Sequence, residues 1–286
     1  MVKKILITGS SGILGSELTG LLISNEKFDV LAPNRTEFDI TNYIQVKNYI
    51  EDNSPDIVIH TAAHTNVEEA ELFPELAYRI NTMATGSIAT ACLNTDAILV
   101  FISSTGIYGK KDSGTWKDYE TPIPSTIHHT SKLKAEDCVR QLVKRHLILR
   151  TGWLFGGPLD NPKNFVSNRI KEAEGKSVIF ANSKQYGNPT SARDLSKQIE
   201  LLIEKCVFGT FNCVNKGVVS RLEYIKAIYG YSHNQTEVKA NEGDYKRLAD
   251  VSNNESAENY YLNFLGLDIM PDFRDSLKSY INERIG

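Results

Sequence analysis

Ile5-Leu6-Ile7-Thr8-Gly9-Ser10-Ser11-Gly12-Ile13-Leu14-Gly15 is the stretch that decides the fold of this chain. A short apolar run stops at Gly9. From Ile13 to Ser24 the pattern turns helical, with Leu14, Leu18, Leu21 and Leu22 on one side. A strand that feeds a helix through a glycine-rich turn is built to hold a phosphate. The early glycine permits the tight turn, the middle one lets the backbone approach a pyrophosphate, and the last lets helix pack on strand. Free N–H groups and the dipole at the helix N-terminus then hold the negative charge. The spacing is Gly-x-x-Gly-x-x-Gly rather than Gly-x-Gly-x-x-Gly, so the reading rests on where the turn stands, directly after the first strand.

Working outward, the two periods keep alternating. Val30-Leu31 reads as a second strand, and a helix follows from about Tyr43 to Asp52. Ile57-Val58-Ile59 is a third strand, entered through the turn Ser54-Pro55-Asp56. A long helix is expected from about Glu75 to Leu93, then the strand Ala97 to Ile102, a helix from about Lys132 to Lys144, and the strand His146 to Leu149. Near-continuous apolar strands alternating with helices indicate a parallel sheet covered on both faces. The expected class is α/β, a doubly wound parallel sheet over residues 1–150, followed by a smaller C-terminal α/β lobe over residues 151–286 whose segments interleave with the first where needed. In that second half helices are expected at Phe165–Glu174, Asp194–Glu204, Leu222–Tyr229 and Phe273–Glu283, and strands at Val178–Phe180, Thr210–Val214 and Glu237–Lys239.

Composition narrows the function classes. The chain has 286 residues, 41% hydrophobic and 23% charged, which excludes a disordered protein. With 32 basic residues against 35 acidic ones there is no excess to neutralise a nucleic-acid backbone. No stretch approaches the roughly 20 apolar residues of a membrane span, and the start of the chain is too weakly apolar for a signal peptide. Cys92, Cys138, Cys206 and Cys213 form no Cys-x-x-Cys pair and read as reduced thiols of a cytoplasmic protein. No His/Cys/Asp/Glu cluster has metal-ligand spacing, so no metal is expected.

The cofactor reading follows from the second strand. NAD-specific sites of this kind place an acidic residue about 20 positions beyond the glycines, whereas an Arg accommodates a 2′-phosphate. Here Asn34 and Arg35 stand at that place, with no carboxylate before Glu37. NADP(H) is favoured and NAD(H) is the alternative. Gly9, Ser11, Gly12, Ile13, Leu14 and Gly15 are the expected phosphate cradle.

With these pieces assembled, the chain resembles the dTDP-4-dehydrorhamnose reductase family of extended short-chain dehydrogenases/reductases over about its first 230 residues. The resemblance rests on the glycine turn, Glu37-Phe38-Asp39-Ile40-Thr41, Pro55 to His60, Thr61-Ala62-Ala63-His64-Thr65-Asn66-Val67, Ser103-Ser104-Thr105-Gly106-Ile107-Tyr108-Gly109, Thr130 to Glu136, Leu149-Arg150-Thr151-Gly152-Trp153, and Gln185-Tyr186-Gly187-Asn188-Pro189-Thr190. It implies reduction of a 4-keto nucleotide-sugar in deoxysugar or cell-surface polysaccharide biosynthesis, and a homodimer. By position, Ser104 would orient the substrate carbonyl, and Lys132 would hold the nicotinamide ribose and lower the pKa of the neighbouring acid. Thr61, Ala62, Ala63 and Ser103 would line the cofactor, with Asp39 and Ile40 beside the adenine. His64, Thr65, Thr105, Trp153, Gln185 and Tyr186 would face the sugar.

One position departs from the resembled pattern. Four residues before Lys132 stands His128 where such enzymes carry the tyrosine acid. Residues four apart share a helix face, so the placement survives with a different acid. An imidazole starts near pKa 6.5 and is able to give a proton to a developing alkoxide. The alternatives to a reductase are an epimerase or dehydratase on the same scaffold, or a catalytically impaired cofactor-binding regulatory or assembly protein. Among the remaining ionisable groups, His60 reads as a satisfied core histidine, and Glu68-Glu69 and Lys110-Lys111 as solvated surface charge; Tyr108 is a substitute acid only as a minor alternative, since relatives that keep the usual acid also carry Tyr there.

Overall fold

Apolar runs too short for helices become strands with both faces covered. The structure, a computed structural model, describes residues 2–241 and 247–285. In chain order its strands are β1 (Lys3–Thr8), β2 (Phe28–Leu31), β3 (Ile57–His60), β4 (Ile98–Ser104), β5 (His146–Thr151), β6 (Leu154–Phe155), β7 (Val178–Ala181), β8 (Tyr186–Gly187), β9 (Thr190–Ser191), β10 (Gly209–Asn212), β11 (Val219–Ser220) and β12 (Glu237–Ala240). The helices are α1 (Ile13–Ile23), α2 (Tyr43–Asn53), α3 (Val67–Leu72), α4 (Pro74–Ala77), α5 (Ala84–Thr95), α6 (Ile127–Leu142), α7 (Phe165–Ala173), α8 (Ala192–Glu204), α9 (Arg221–Tyr231), α10 (Tyr260–Phe264) and α11 (Phe273–Arg284).

The main sheet is parallel, as expected, in the order β10-β5-β4-β3-β1-β2. Strand order reverses between β1 and β3, and in such sheets ligands bind at the carboxyl ends of the strands flanking that reversal. The glycine turn after β1 and the Thr61-Ala62-Ala63 segment after β3 stand at that point. One face of the sheet is sealed by Leu14, Leu18 and Leu22 of α1 against Leu195, Ile199 and Leu202 of α8. The other is sealed by Val46 and Ile50 of α2, Ile88 and Cys92 of α5, and Val139 of α6. Residues after Thr151 divide between the main sheet and a second core. α8 and β10 return to the sheet, whereas Phe155, Tyr224, Phe273 and Leu277 build a separate core in the second lobe.

Three expectations need correction. The single helix from Glu75 to Leu93 is instead α4, a π-helical stretch Tyr78–Met83, and α5. Pro74 starts α4 because its missing N–H costs nothing at the first helical position. The helix expected from Lys132 starts at Ile127, because Thr126 caps it by accepting from the His129 backbone N–H. The strand expected at Thr210–Val214 is β10 of the main sheet, paired with β5.

Candidate active site

A cavity of about 800 Å³ opens along the carboxyl ends of β1, β3, β4 and β5 and runs between the two lobes. At one end lies the glycine turn. Gly9 has φ +72°, and a Cβ there would meet the Ala62 backbone N at 2.7 Å. A Cβ on Gly15 would stand 2.1 Å from the Gly9 carbonyl oxygen, so α1 reaches the turn only because that side chain is absent. Gly12 caps α1 without a side-chain hydrogen bond, leaving the first N–H groups of the helix for a ligand. Ser11, Ile13 and Leu14 line the same end.

Beyond the turn the cavity passes Asn34, Arg35, Asp39 and Ile40. The Asn34 side chain is spent locally, accepting from Thr36 N and Oγ1 and from Glu37 N. Glu37 turns back to accept from Asn34 N at 2.9 Å. The Asp39 carboxylate is held below its usual range, first by the Thr41 backbone N–H and more weakly by Arg35 and Arg79.

At the centre stand Ser103, Ser104, Thr105, His128 and Lys132, with Thr61, Ala62 and Ala63 opposite. Ser104 accepts from Gly106 N at 3.2 Å, which fixes its side chain at the end of β4. Lys132 is buried; its Nζ donates to the Ile102 carbonyl at 2.5 Å and lies 4.1 Å from the Phe101 ring centre. Burial pulls its pKa down to about 7, with Glu136 acting weakly the other way. His128 is buried as well, and desolvation together with His129 and Lys132 holds its pKa well below 6.5. The ring is thus neutral at pH 7. Its Nδ1 is shielded from solvent and has no hydrogen-bond partner among the described residues.

Most of the residues expected on the sugar side gather at the far end. His64, Thr65, Trp153 and Gln185 all line the cavity. His64 Nε2 meets Glu69 Oε2 at 3.0 Å, and Lys163 reaches Thr65 Oγ1 at 2.8 Å. Trp153 adopts φ +47°, a left-handed conformation that a bulky residue holds only under tight packing. A Cβ on Gly187 would meet its ring at 2.5 Å, and Arg221 stacks 3.4 Å above the ring centre. Tyr186 is the exception. It is exposed and lies outside the cavity, whereas Gln185, the residue just before β8, lines it; side chains of successive extended residues point to opposite sides.

Other expectations sort just as plainly. His60 is a satisfied core residue, hydrogen-bonded to Thr8 Oγ1 at 2.7 Å and Thr85 Oγ1 at 3.0 Å, and burial drives its pKa to about 3. Tyr108 is no substitute acid. Its hydroxyl sits between Arg150 and Asn212 outside the cavity, and burial pushes its pKa up to about 12. The acidic pair is not idle surface charge. Glu68 accepts from Arg247 Nε and the backbone N–H groups of Leu248 and Ala249, whereas Glu69 faces His64. Lys111 pairs with Glu120, and Lys110 pairs with Asp250 on the surface. Among the described residues no group of His, Cys, Asp or Glu could hold a metal, and the four cysteines are free.

The model of the RmlD substrate binding domain family matches residues 3–285. The chain belongs to this family. The match reaches well past residue 230, where the sequence motifs thin out. A dTDP-4-dehydrorhamnose reductase of Aggregatibacter actinomycetemcomitans is 29% identical over 234 residues, 80% of this chain and 79% of that protein. A spore coat polysaccharide biosynthesis protein of Bacillus subtilis is 30% identical over 237 residues, 83% of this chain and 82% of that one. The crystal structure of a dTDP-4-dehydrorhamnose reductase from Bacillus anthracis, in complex with NADP, superposes with a TM-score of 0.94 at 30% identity, covering 99% of this chain and 100% of that one. A UDP-glucose 4-epimerase from Thermus thermophilus shares the fold, with a TM-score of 0.83 at 19% identity. This member of the RmlD substrate binding domain family is an oxidoreductase of the extended short-chain dehydrogenase/reductase type.

Some residues in and behind the cavity of this family member carry no sequence motif. Asn81, buried behind the lining on the π-helical stretch, accepts at Oδ1 from His64 N, and its Nδ2 donates to the His64 carbonyl and to Ser131 Oγ. It ties the loop after β3 to α6, and π-helical turns are frequent at functional sites. His129, Arg221, Arg247 and Glu255 line the cavity, three of them from the second half of the chain, where no motif signalled them.

Proposed function

We propose that the protein is an NADPH-dependent reductase of a 4-keto sugar carried on a nucleoside diphosphate, with dTDP-4-dehydrorhamnose as the first substrate to test. The observation that carries this reading is the continuity of one cavity from the glycine turn to Ser104, His128 and Lys132 and on to Trp153. The residues fit a dinucleotide, since Gly9 and Gly15 leave a cradle that a Cβ would fill and α1 offers an uncapped N-terminus. Arg35 supplies positive charge beside it for a 2′-phosphate, so NADP(H) is preferred over NAD(H).

When bound, the nicotinamide supplies the hydride. The chain supplies position and the proton. Ser104 Oγ orients the carbonyl, and Lys132 places positive charge at the foot of the cavity, where the resemblance puts the nicotinamide ribose. His128 supplies the proton to the developing alkoxide. Its low pKa makes the imidazolium a strong acid that is sparsely populated at neutral pH.

The test is NADPH consumption by the purified protein with dTDP-4-dehydrorhamnose, followed by UDP- and GDP-linked 4-keto sugars. Turnover with a 4-keto nucleotide-sugar supports the reading. No consumption with any of them, by a protein that still binds NADPH, replaces it with the second reading, a cofactor-binding protein that has lost chemistry. The burial and neutrality of His128 are what favour that second reading. The homodimer belongs to this proposal and is checked by light scattering.

A further inference from the structure

His129 occupies a seat that the neighbouring sequence leaves open. Its ring lies over Gly106, where a Cβ would stand only 2.1 Å from Nε2. Nδ1 is 2.9 Å from Thr126 Oγ1, the hydroxyl that also caps α6, so the ring cannot swing away. It packs edge-on against His128, with ring centres 5.0 Å apart. With the Thr126 hydroxyl donating to Nδ1, the remaining proton sits on Nε2.

Opposite that nitrogen stands Glu255, buried, though less deeply than His129. Glu255 is itself positioned: Oε2 accepts from Trp153 Nε1 at 2.9 Å, and its backbone N–H donates to the Tyr186 carbonyl at 3.0 Å. Its Oε1 is 3.9 Å from His129 Nε2, too far for a direct hydrogen bond. Neither of these two atoms has a hydrogen-bond partner among the described residues, and both residues line the cavity. A donor and an acceptor at that separation leave room for one oxygen at about 2.8 Å from each, an ordinary hydrogen-bond length.

We propose that His129 and Glu255 form a clamp for one ring hydroxyl of the substrate sugar and so set which hydroxylated sugars the enzyme accepts. The inference rests on the reductase reading above and names a specificity device for the same site. A hydroxyl donates to Glu255 Oε1 and accepts from His129 Nε2–H, and its carbon lies close to the carbonyl presented to His128. A sugar lacking that hydroxyl leaves a buried carboxylate oxygen and a buried N–H without partners, and sites of this kind reject such analogues strongly.

The test compares kcat/KM for dTDP-4-dehydrorhamnose with its 2-deoxy and 3-deoxy analogues. The wild type is expected to reject one of the two by on the order of 10²–10⁴-fold. His129→Phe keeps a ring on Gly106 but removes both nitrogens. It is expected to lower kcat/KM on the full substrate while leaving the rejected analogue unchanged, so that selectivity collapses to within roughly tenfold. Glu255→Gln keeps the shape and the Trp153 contact, shifts selectivity in the same direction, and carries the measurement if His129→Phe does not fold. Wild-type indifference to both hydroxyls overturns the clamp, as does an equal loss on all three substrates in the variants. Calorimetry with dTDP-rhamnose and its deoxy forms separates the two readings, because it needs no turnover. Hydroxyl-dependent affinity that disappears in His129→Phe supports the clamp even where no NADPH is consumed. Its absence in the wild type overturns the clamp even where the reductase reading stands.

Discussion

Lys132 Nζ stands 4.1 Å from the centre of the Phe101 ring and has no carboxylate within ion-pair distance among the described residues. The folded pKa of about 7 lies below the 10.5 of an exposed lysine, so across that window the unfolded chain binds a proton that the folded one gives up. Stability therefore rises with pH from about 7 upward, and at and below neutrality the fold carries the cost of a buried charge. Lys132→Met is expected to raise stability at pH 7 by on the order of 1–3 kcal/mol and to abolish turnover. Urea unfolding at pH 7 and pH 9.5 checks this, because the gain should shrink at the higher pH. A variant less stable than the wild type at both values sinks it.

Arg35 is exposed and forms no ion pair among the described residues, whereas Asn34 is tied to both Thr36 and Glu37. Its guanidinium is the positive charge at the end of β2. NADPH is expected to bind more tightly than NADH, and Arg35→Ala should narrow the gap by about 1–3 kcal/mol. Fluorescence titration of both cofactors reads the ratio. An unchanged ratio excludes Arg35 as the 2′-phosphate contact.

His128 gives the pH profile its sign. Its imidazolium is the proton donor, and its pKa lies well below 6.5, so the rate is expected to climb as pH falls from 7. Acid instability sets the limit. A histidine held neutral by burial contributes stability above pH 6.5 that is lost as pH drops through that value, and His60 behaves the same way. His128→Ala should cut turnover by ~10²–10⁴-fold with cofactor affinity nearly unchanged. His128→Tyr should keep activity and hold it to higher pH. Equal rates in wild type and His128→Ala would show that the proton comes from another group.

Tyr108 predicts the opposite pattern. Its hydroxyl accepts from Arg150 and donates to Asn212, both at 2.8 Å, away from the cavity. Tyr108→Phe should cost about 1–3 kcal/mol in unfolding free energy, since one bond is to a charged partner. Steady-state kinetics should stay within twofold or so of wild type. Lost turnover at unchanged stability would return Tyr108 to the list of acids.

What could be read from the chain was local. The glycine turn and the apolar strands announce themselves through short-range pattern, the Ser104–Lys132 pair through resemblance to a family, and the structure brings the turn and the pair into one cavity. What escaped depends on distance along the chain. Glu255 faces His129 across more than a hundred residues, and Glu68 receives the backbone of Leu248 and Ala249 from 180 and 181 residues away. No periodicity encodes such a meeting. Tyr186 was misplaced for a different reason. A motif lists neighbours without saying which of them a strand turns inward. The start of α6 was missed because His128 and His129 are indifferent helix formers, while the cap that starts the helix is a lone threonine.

β10 has a consequence for how the molecule is made. Until residue 212 leaves the ribosome, β5 is a bare sheet edge with its backbone groups unpaired, and the apolar stripe of α1 has no α8 to cover it. Such edges and stripes invite pairing with other chains. A fragment ending near residue 150 would look whole by its alternating strands and helices, yet it would emerge as an aggregation-prone intermediate. Synthesis of α8 and β10, late in the chain, is therefore what makes the earlier sheet safe to expose to water.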